Sequence, residues 1–202
     1  MDFLTPDSAG IHRAARLLLA GELVGFPTDT VYGLAALALD GRAVRRVFEV
    51  KGRSLDQPLI LMVAEAERLE AWAQVDDRAR YYMRRWWPGP LTLVLPASAD
   101  AGPPLTSSGS MRTIAARIPD HPVALALLRE VGEPLATTSA NWSGQPPALT
   151  ALEAAWVEGL AAVLDGGEAP GGVPSTMLDV SDAEPRILRP GPVPEEALLV
   201  SR

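Results

Sequence analysis

Between Phe26 and Val63 the sequence sets a polar turn, a helix, a basic turn and a strand in close succession, behind a first short strand. Leu23, Val24 and Phe26 have the pattern of a buried strand, and they run into Thr28-Asp29-Thr30, a turn with two hydroxyls and a carboxylate. Arg42 to Val50 has helical periodicity, with Val44, Val47 and Phe48 facing inward and arginines outward. Lys51-Gly-Arg53 follows, and then Pro58 to Val63, a continuous apolar run of the kind a strand shows when both its faces are covered. This succession constrains the chain to an open α/β sheet, which gathers ligands where its strands end. Lys51 is the only lysine among 18 basic residues. A compact ammonium among guanidiniums reads as a chosen point charge, although a solvated loop is the plainer alternative.

The same grammar continues on both sides. Ser8 to Ala20 is predicted as a helix, with Ser8 as N-cap, Ile11, Ala15, Leu18 and Leu19 on its core face and Gly21 as its stop. Helices are predicted over Glu65–Trp72, Asp77–Trp87, His121–Val131 and Leu152–Val157, and strands over Glu22–Phe26, Leu91–Leu95, Arg112–Ile118, Pro134–Thr138, Ala162–Leu164 and Arg186–Leu188. Helices and strands alternate without strict βαβ order, so the expected architecture is a single-domain twisted mixed β-sheet with flanking helices and a concave cationic cavity. The glycine-, proline- and serine-rich segment Pro96 to Met111 is long enough to expect a lid over that cavity.

Several chemistries drop out. With no cysteine there is no thiol nucleophile and no thiolate metal site, and His12 and His121 stand outside any ligand spacing such as HExxH. There is no GxxxxGK[ST] loop, no GxGxxG after the first strand and no GxSxG elbow. His121, in Pro119-Asp-His-Pro122, reads as a helix opening rather than a base. No apolar run has the length of a membrane span and no signal region opens the chain, so a cytoplasmic location is expected. A net charge of −7 argues against binding nucleic acid by bulk attraction, but it permits a local cationic pocket.

What is left at the strand ends is a set of cations and hydroxyls: Thr28, Thr30, Lys51, Arg53, Arg112, Thr113, Arg117, Thr137, Ser139, Asn141, Ser143, Ser175, Thr176 and Arg189. It contains no strong general base. Such a set suits a reaction driven by positioning and charge stabilisation, of which phosphoryl or nucleotidyl transfer is the usual example. Arg117 closes an apolar strand, where an unpaired guanidinium is costly. The Thr28–Thr30 and Ser139–Gly144 turns could equally be capping or plain loops.

Phe26-Pro-Thr-Asp-Thr-Val-Tyr-Gly-Leu34, Lys51-Gly-Arg53, Trp87-Pro-Gly-Pro-Leu-Thr-Leu93, Arg117-Ile-Pro-Asp-His-Pro122, Ser139-Ala-Asn141, Ser175-Thr176 and Ile187-Leu-Arg-Pro-Gly191 together resemble the YrdC/TsaC family. The resemblance runs in the family's order from about Gly21 to Gly191. It implies a threonylcarbamoyl-AMP synthase that joins L-threonine, bicarbonate and ATP and releases pyrophosphate, its product feeding threonylcarbamoylation of a tRNA adenosine. It further implies that Thr30, Arg117, Thr137 and Ser175 hold threonine. Lys51, Arg53, Thr113, Ser139, Asn141 and Arg189 would hold ATP or the adenylate, with Lys51 and Arg53 as the catalytic cations neutralising charge at the α-phosphate. Mg2+ would arrive with ATP, its protein ligands unknown.

Some positions depart from the family pattern. Ser54 replaces a proline, Gln57 an asparagine and Met62 a histidine, and Thr137-Thr138 stands where a proline often precedes Ser-Ala-Asn. The resemblance also implies a short bacterial form, a single YrdC-like domain over residues 1–202 without a further C-terminal domain, which hands its product to a separate tRNA threonylcarbamoyl transferase complex. Direct tRNA contact is expected to be weak. The competing expectation is a divergent paralogue acting as an RNA-binding or ribosome-associated module.

Overall fold

The structure, a computed structural model, describes residues 1–55, 57–99, 101, 105 and 112–199. In chain order its elements are β1 (Asp2–Leu4), α1 (Ser8–Leu19), β2 (Val24–Phe26), β3 (Gly33–Leu37), α2 (Gly41–Lys51), β4 (Ile60–Met62), a 3-10 segment (Ala66–Ala71), α3 (Asp77–Trp86), β5 (Leu91–Pro96), β6 (Thr113–Arg117), α4 (Pro122–Val131), β7 (Leu135–Ser139), α5 (Ala151–Ala154), β8 (Ala162–Leu164), β9 (Thr176–Asp179), β10 (Arg186–Arg189) and α6 (Glu195–Leu198). The strands form one sheet in the order β1-β8-β2-β3-β7-β4-β6-β5-β9-β10. Pairing is mixed: β4 runs parallel to β6 and antiparallel to β7, and β5 runs parallel to β9 and antiparallel to β6.

Helices cover both faces. Ala14, Ala15 and Leu18 of α1 meet Ala124, Leu127 and Leu128 of α4 in one core cluster, together with Val24, Phe26 and Leu135 of the sheet. The larger cluster joins Val44, Val47 and Phe48 of α2 and Tyr82 and Met83 of α3 to Leu34, Leu61, Leu93 and Ile114. Burial on two faces is why β4 and β5 read as apolar runs rather than alternating ones. Among the described residues no helix is long and apolar enough to cross a membrane.

The strand-and-helix alternation is observed, with instructive differences. Helix α1 is capped by Asp7, whose side chain accepts from Gly10 N, and not by Ser8. Its Leu19 is exposed while Gly10 and Ala14 are buried, so the core face is turned relative to the predicted one. The 33–37 segment, unmarked as a strand by its Gly-Leu-Ala-Ala-Leu sequence, is β3, seated between β2 and β7. Alanine favours helix locally, but here both neighbours supply a backbone ladder and both faces are buried, and tertiary pairing wins. Strands β1 and β9 and helix α6 are likewise additions, and α5 is shorter than the 152–157 pattern suggests. His121 occupies the N-cap position of α4, with Pro122 as its first residue. Most of the expected lid, including 102–104 and 106–111, lies outside the described residues.

Candidate active site

Register across the sheet builds one face of the site. Gly33 of β3 lies opposite Ser139 of β7, Thr137 of β7 opposite Ile60 of β4, and Met62 of β4 opposite Arg117 of β6. Side chains two apart on a strand share a face, so a row of hydroxyls, apolar walls and one guanidinium runs across four strands. The cavity on this face measures about 90 Å3, and Thr28, Thr30, Arg53, Thr137, Ser139, Ser175, Met177, Arg117 and Arg189 are among the residues lining it. No aspartate or glutamate is among those lining residues.

Arg117 is 2% exposed. Its Nε donates to Gly89 O at 2.9 Å, Nη1 to Thr30 Oγ1 at 2.9 Å and Nη2 to Asp29 Oδ1 at 2.6 Å. The same carboxylate oxygen accepts from Asp120 N at 3.1 Å, which ties the polar turn to the residues following β6. Burial lowers the basicity of Arg117, and the Asp29 charge opposes that effect. A guanidinium has five N–H groups. Three of them are spent on these bonds, and two have no partner among the described residues.

The hydroxyl turn is self-supporting. Thr28 Oγ1 donates to Val31 O at 2.6 Å and accepts from Thr30 N and Val31 N, with Thr30 Oγ1 3.0 Å away. Over it lies the 165–174 loop, held by Tyr32, whose hydroxyl donates to Gly167 O at 2.7 Å and accepts from Gly166 N at 3.2 Å. Burial raises the Tyr32 phenol above its ordinary value. Gly171 of that loop packs so closely that a Cβ there would stand 2.7 Å from both Asp29 O and Thr30 Cα.

Two further cations reach the cavity. Arg189 donates from Nε and Nη2 to Ser175 O at 3.1 and 2.8 Å, and from Nη2 to Ser175 Oγ at 3.1 Å; that oxygen also lies 2.7 Å from the buried Thr92 Oγ1. Its basicity is lowered by burial, then by Arg117 and Arg53, which places three positive charges within electrostatic reach of one another. Arg53 follows Gly52, the left-handed cap of α2, and donates to Gln57 O at 2.8 Å and Pro58 O at 3.3 Å. Thr137 Oγ1 donates to Ile60 O at 2.8 Å.

Lys51 sits elsewhere. It is 2% exposed and is not among the cavity's lining residues. Its Nζ donates to Ser139 O at 2.6 Å, Asn141 O at 2.9 Å and Asn141 Oδ1 at 2.8 Å. Ser139 Oγ donates to the same Asn141 oxygen at 2.7 Å. Burial, reinforced by Arg53, brings the Lys51 ammonium down to about 8.

Of the residues proposed from sequence, Thr30, Arg53, Arg117, Thr137, Ser139, Ser175 and Arg189 line one cavity, while Lys51 and Asn141 back its rim. Thr113 begins β6, on the same strand face as Arg117 but four residues away and outside the lining. Arg112 donates to Ser98 O, and Thr176 Oγ1 to Val193 O, so neither faces the cavity. Sequence reasoning missed Asp29 as the partner of Arg117 and Tyr32 as the anchor of the loop. It also missed Met177 and Pro174 as cavity walls.

Fold and cavity together define a mixed-sheet α/β protein with a small arginine- and hydroxyl-lined pocket at its strand ends. A sequence model of the family described as telomere recombination, comprising Sua5, YciO and YrdC, matches residues 16–191. The chain is 44% identical over 200 residues to a threonylcarbamoyl-AMP synthase of Bacillus subtilis, covering 98% of this chain and 58% of that protein. It is 44% identical over 191 residues to one of Pyrococcus abyssi, covering 93% of this chain and 56% of the relative. The crystal structure of P. abyssi Sua5 complexed with L-threonine superposes with a TM-score of 0.91 at 40% identity, over 98% of this chain and 60% of that one. The chain therefore belongs to the Sua5/YciO/YrdC family, and it spans a little under three fifths of those two synthases.

Proposed function

We propose that the chain is an L-threonylcarbamoyladenylate synthase. The observation that carries this reading is its likeness to a Sua5 protein whose crystal structure holds L-threonine. Threonine's carboxylate would take the two remaining N–H groups of Arg117, a charge-assisted contact in a desolvated site. Thr30, Thr137 and Ser175 supply oxygens around the amine and hydroxyl. A cavity of about 90 Å3 is small beside the roughly 300–1,000 Å3 of a typical drug-sized site. It suits an amino acid, leaving the nucleotide to extend from the mouth past Arg53, Ser139 and Arg189, with Asn141 behind the rim and Thr113 further along β6.

The reaction balances as two steps. The threonine amine attacks bicarbonate carbon, and loss of water leaves an N-carboxylate. A carboxylate oxygen then attacks the α-phosphorus of ATP, the bond to the β-phosphate bridging oxygen breaks, and pyrophosphate leaves. Negative charge gathers on the non-bridging oxygens and on the leaving group, which is where the Arg53 and Arg189 guanidiniums act. Among the described residues no group of three or more His, Cys, Asp or Glu could hold a metal ion. The described residues therefore supply no all-protein metal cage, and Mg2+ is proposed as the counter-ion carried by ATP's phosphates.

The product would pass to a separate tRNA threonylcarbamoyl transferase complex in the cytoplasm. The test is pyrophosphate release from magnesium-ATP. Release that requires both L-threonine and bicarbonate is the expected result; threonine-independent release, or none from folded protein, would remove the assignment.

A further inference from the structure

The chain's one lysine stands where three oxygens converge. Ser139 O, Asn141 O and Asn141 Oδ1 lie 2.6–2.9 Å from Nζ, and an ammonium carries three N–H groups, no more. A planar guanidinium spreads its donors in a fork and cannot serve three acceptors around one nitrogen. The main chain adds a fourth tie, because Ser143 N donates to Lys51 O at 3.1 Å. Helix α2 ends at this point, and Gly52 turns the chain so that Arg53, two residues on, enters the cavity that Lys51 does not line.

We infer that Lys51 is a positioning residue: in its ammonium form it clamps the 139–143 turn onto the end of α2 and so fixes Ser139 and Asn141 at the cavity rim, while Arg53 is the cation that meets ligand. The charged group acting on Lys51 is Arg53, and its three oxygen partners are uncharged groups. The ammonium is thus committed to the turn before any ligand arrives. Loss of one proton leaves a donor fewer than the turn needs, and burial brings that loss near neutral pH, at about 8. That the clamp serves a nucleotide rests on the synthase reading; the clamp itself does not.

A single lysine makes the test direct. In ligand-free protein labelled with 13C-lysine, one side-chain signal reports Lys51 protonation, and amide signals report the turn. The expected result is that the amides of 139–145 move with the same midpoint as Lys51 Cε, and that adding ATP leaves the Lys51 signal nearly in place. Lys51→Met should shift the same amides without any nucleotide. It should also lower pyrophosphate release by roughly 10²-fold, the scale of a misplacement of about 1 Å. A Lys51 titration with no response in the turn, or a Lys51 signal displaced by ATP while the turn stays still, would overturn the clamp in favour of direct phosphate contact. If pyrophosphate release fails in the wild-type protein while the ligand-free titration succeeds, the synthase reading falls and the clamp stands.

Discussion

Arg117 commits three donors to Gly89, Thr30 and Asp29 and keeps two N–H groups at the cavity. Under the proposed function, Arg117→Ala should cost roughly 2–5 kcal/mol of threonine affinity, read as a steep rise in threonine KM. An unchanged KM would take this side chain out of the amino-acid site. Arg117 itself was legible in the sequence, because a guanidinium ending an apolar strand demands a partner. Its partner was not: Asp29 lies 88 positions earlier, and only the pairing of distant strands brings the two together. Lys51 shows the opposite case. Its solitude was visible in composition, yet nothing in the sequence indicates that its three protons turn toward carbonyl oxygens instead of the cavity.

Among elements, the 165–174 loop carries the least obvious duty. It has no strand or helix of its own, yet it presses on the Thr28–Thr30 turn through Gly171 and is tied down by Tyr32. Gly171→Ala would drive a methyl into main-chain atoms of Asp29 and Thr30, which cannot rotate away as a flexible side chain can. The turn must shift, and with it Asp29 and Thr30, two of the three partners of Arg117. Threonine KM should rise about tenfold with little change in turnover at saturation, a split visible in steady-state pyrophosphate release. A matched loss in both parameters would point to general damage. In the sequence this segment reads as a glycine-rich loop. The close approach that requires glycine belongs to the folded contact alone. Strand β3 was hidden for a related reason, since its alanines have no strand preference until β2 and β7 flank them.

For the molecule as a whole, stability and activity should part company as pH rises. The Lys51 value of about 8 in the folded chain lies below its ordinary 10.5. Between those values the unfolded chain binds more protons, so the unfolding free energy contributed by this group increases with pH. Across the same window the clamped turn loses a donor and pyrophosphate release should fall. Urea midpoints compared with Lys51→Met at about pH 8 and about pH 9.5 would isolate the stability component. A wild-type protein that loses both together relative to the variant would contradict the linkage. The mixed sheet with helices on both faces was readable from alternating patterns, whereas the strand order was not, because β9, with β10 at its outer edge, pairs with β5 from 85 positions further along, Thr176 opposite Leu91. That order has a consequence for biosynthesis. The cavity draws Thr28 from the first strands and Arg189 from the edge strand β10, so a chain emerging from the ribosome has no complete pocket until Arg189 has been added and β10 has docked. Under the proposed function, truncated translation products ending before that residue would compete for threonine and nucleotide poorly, which would confine synthesis to chains that have been read at least that far.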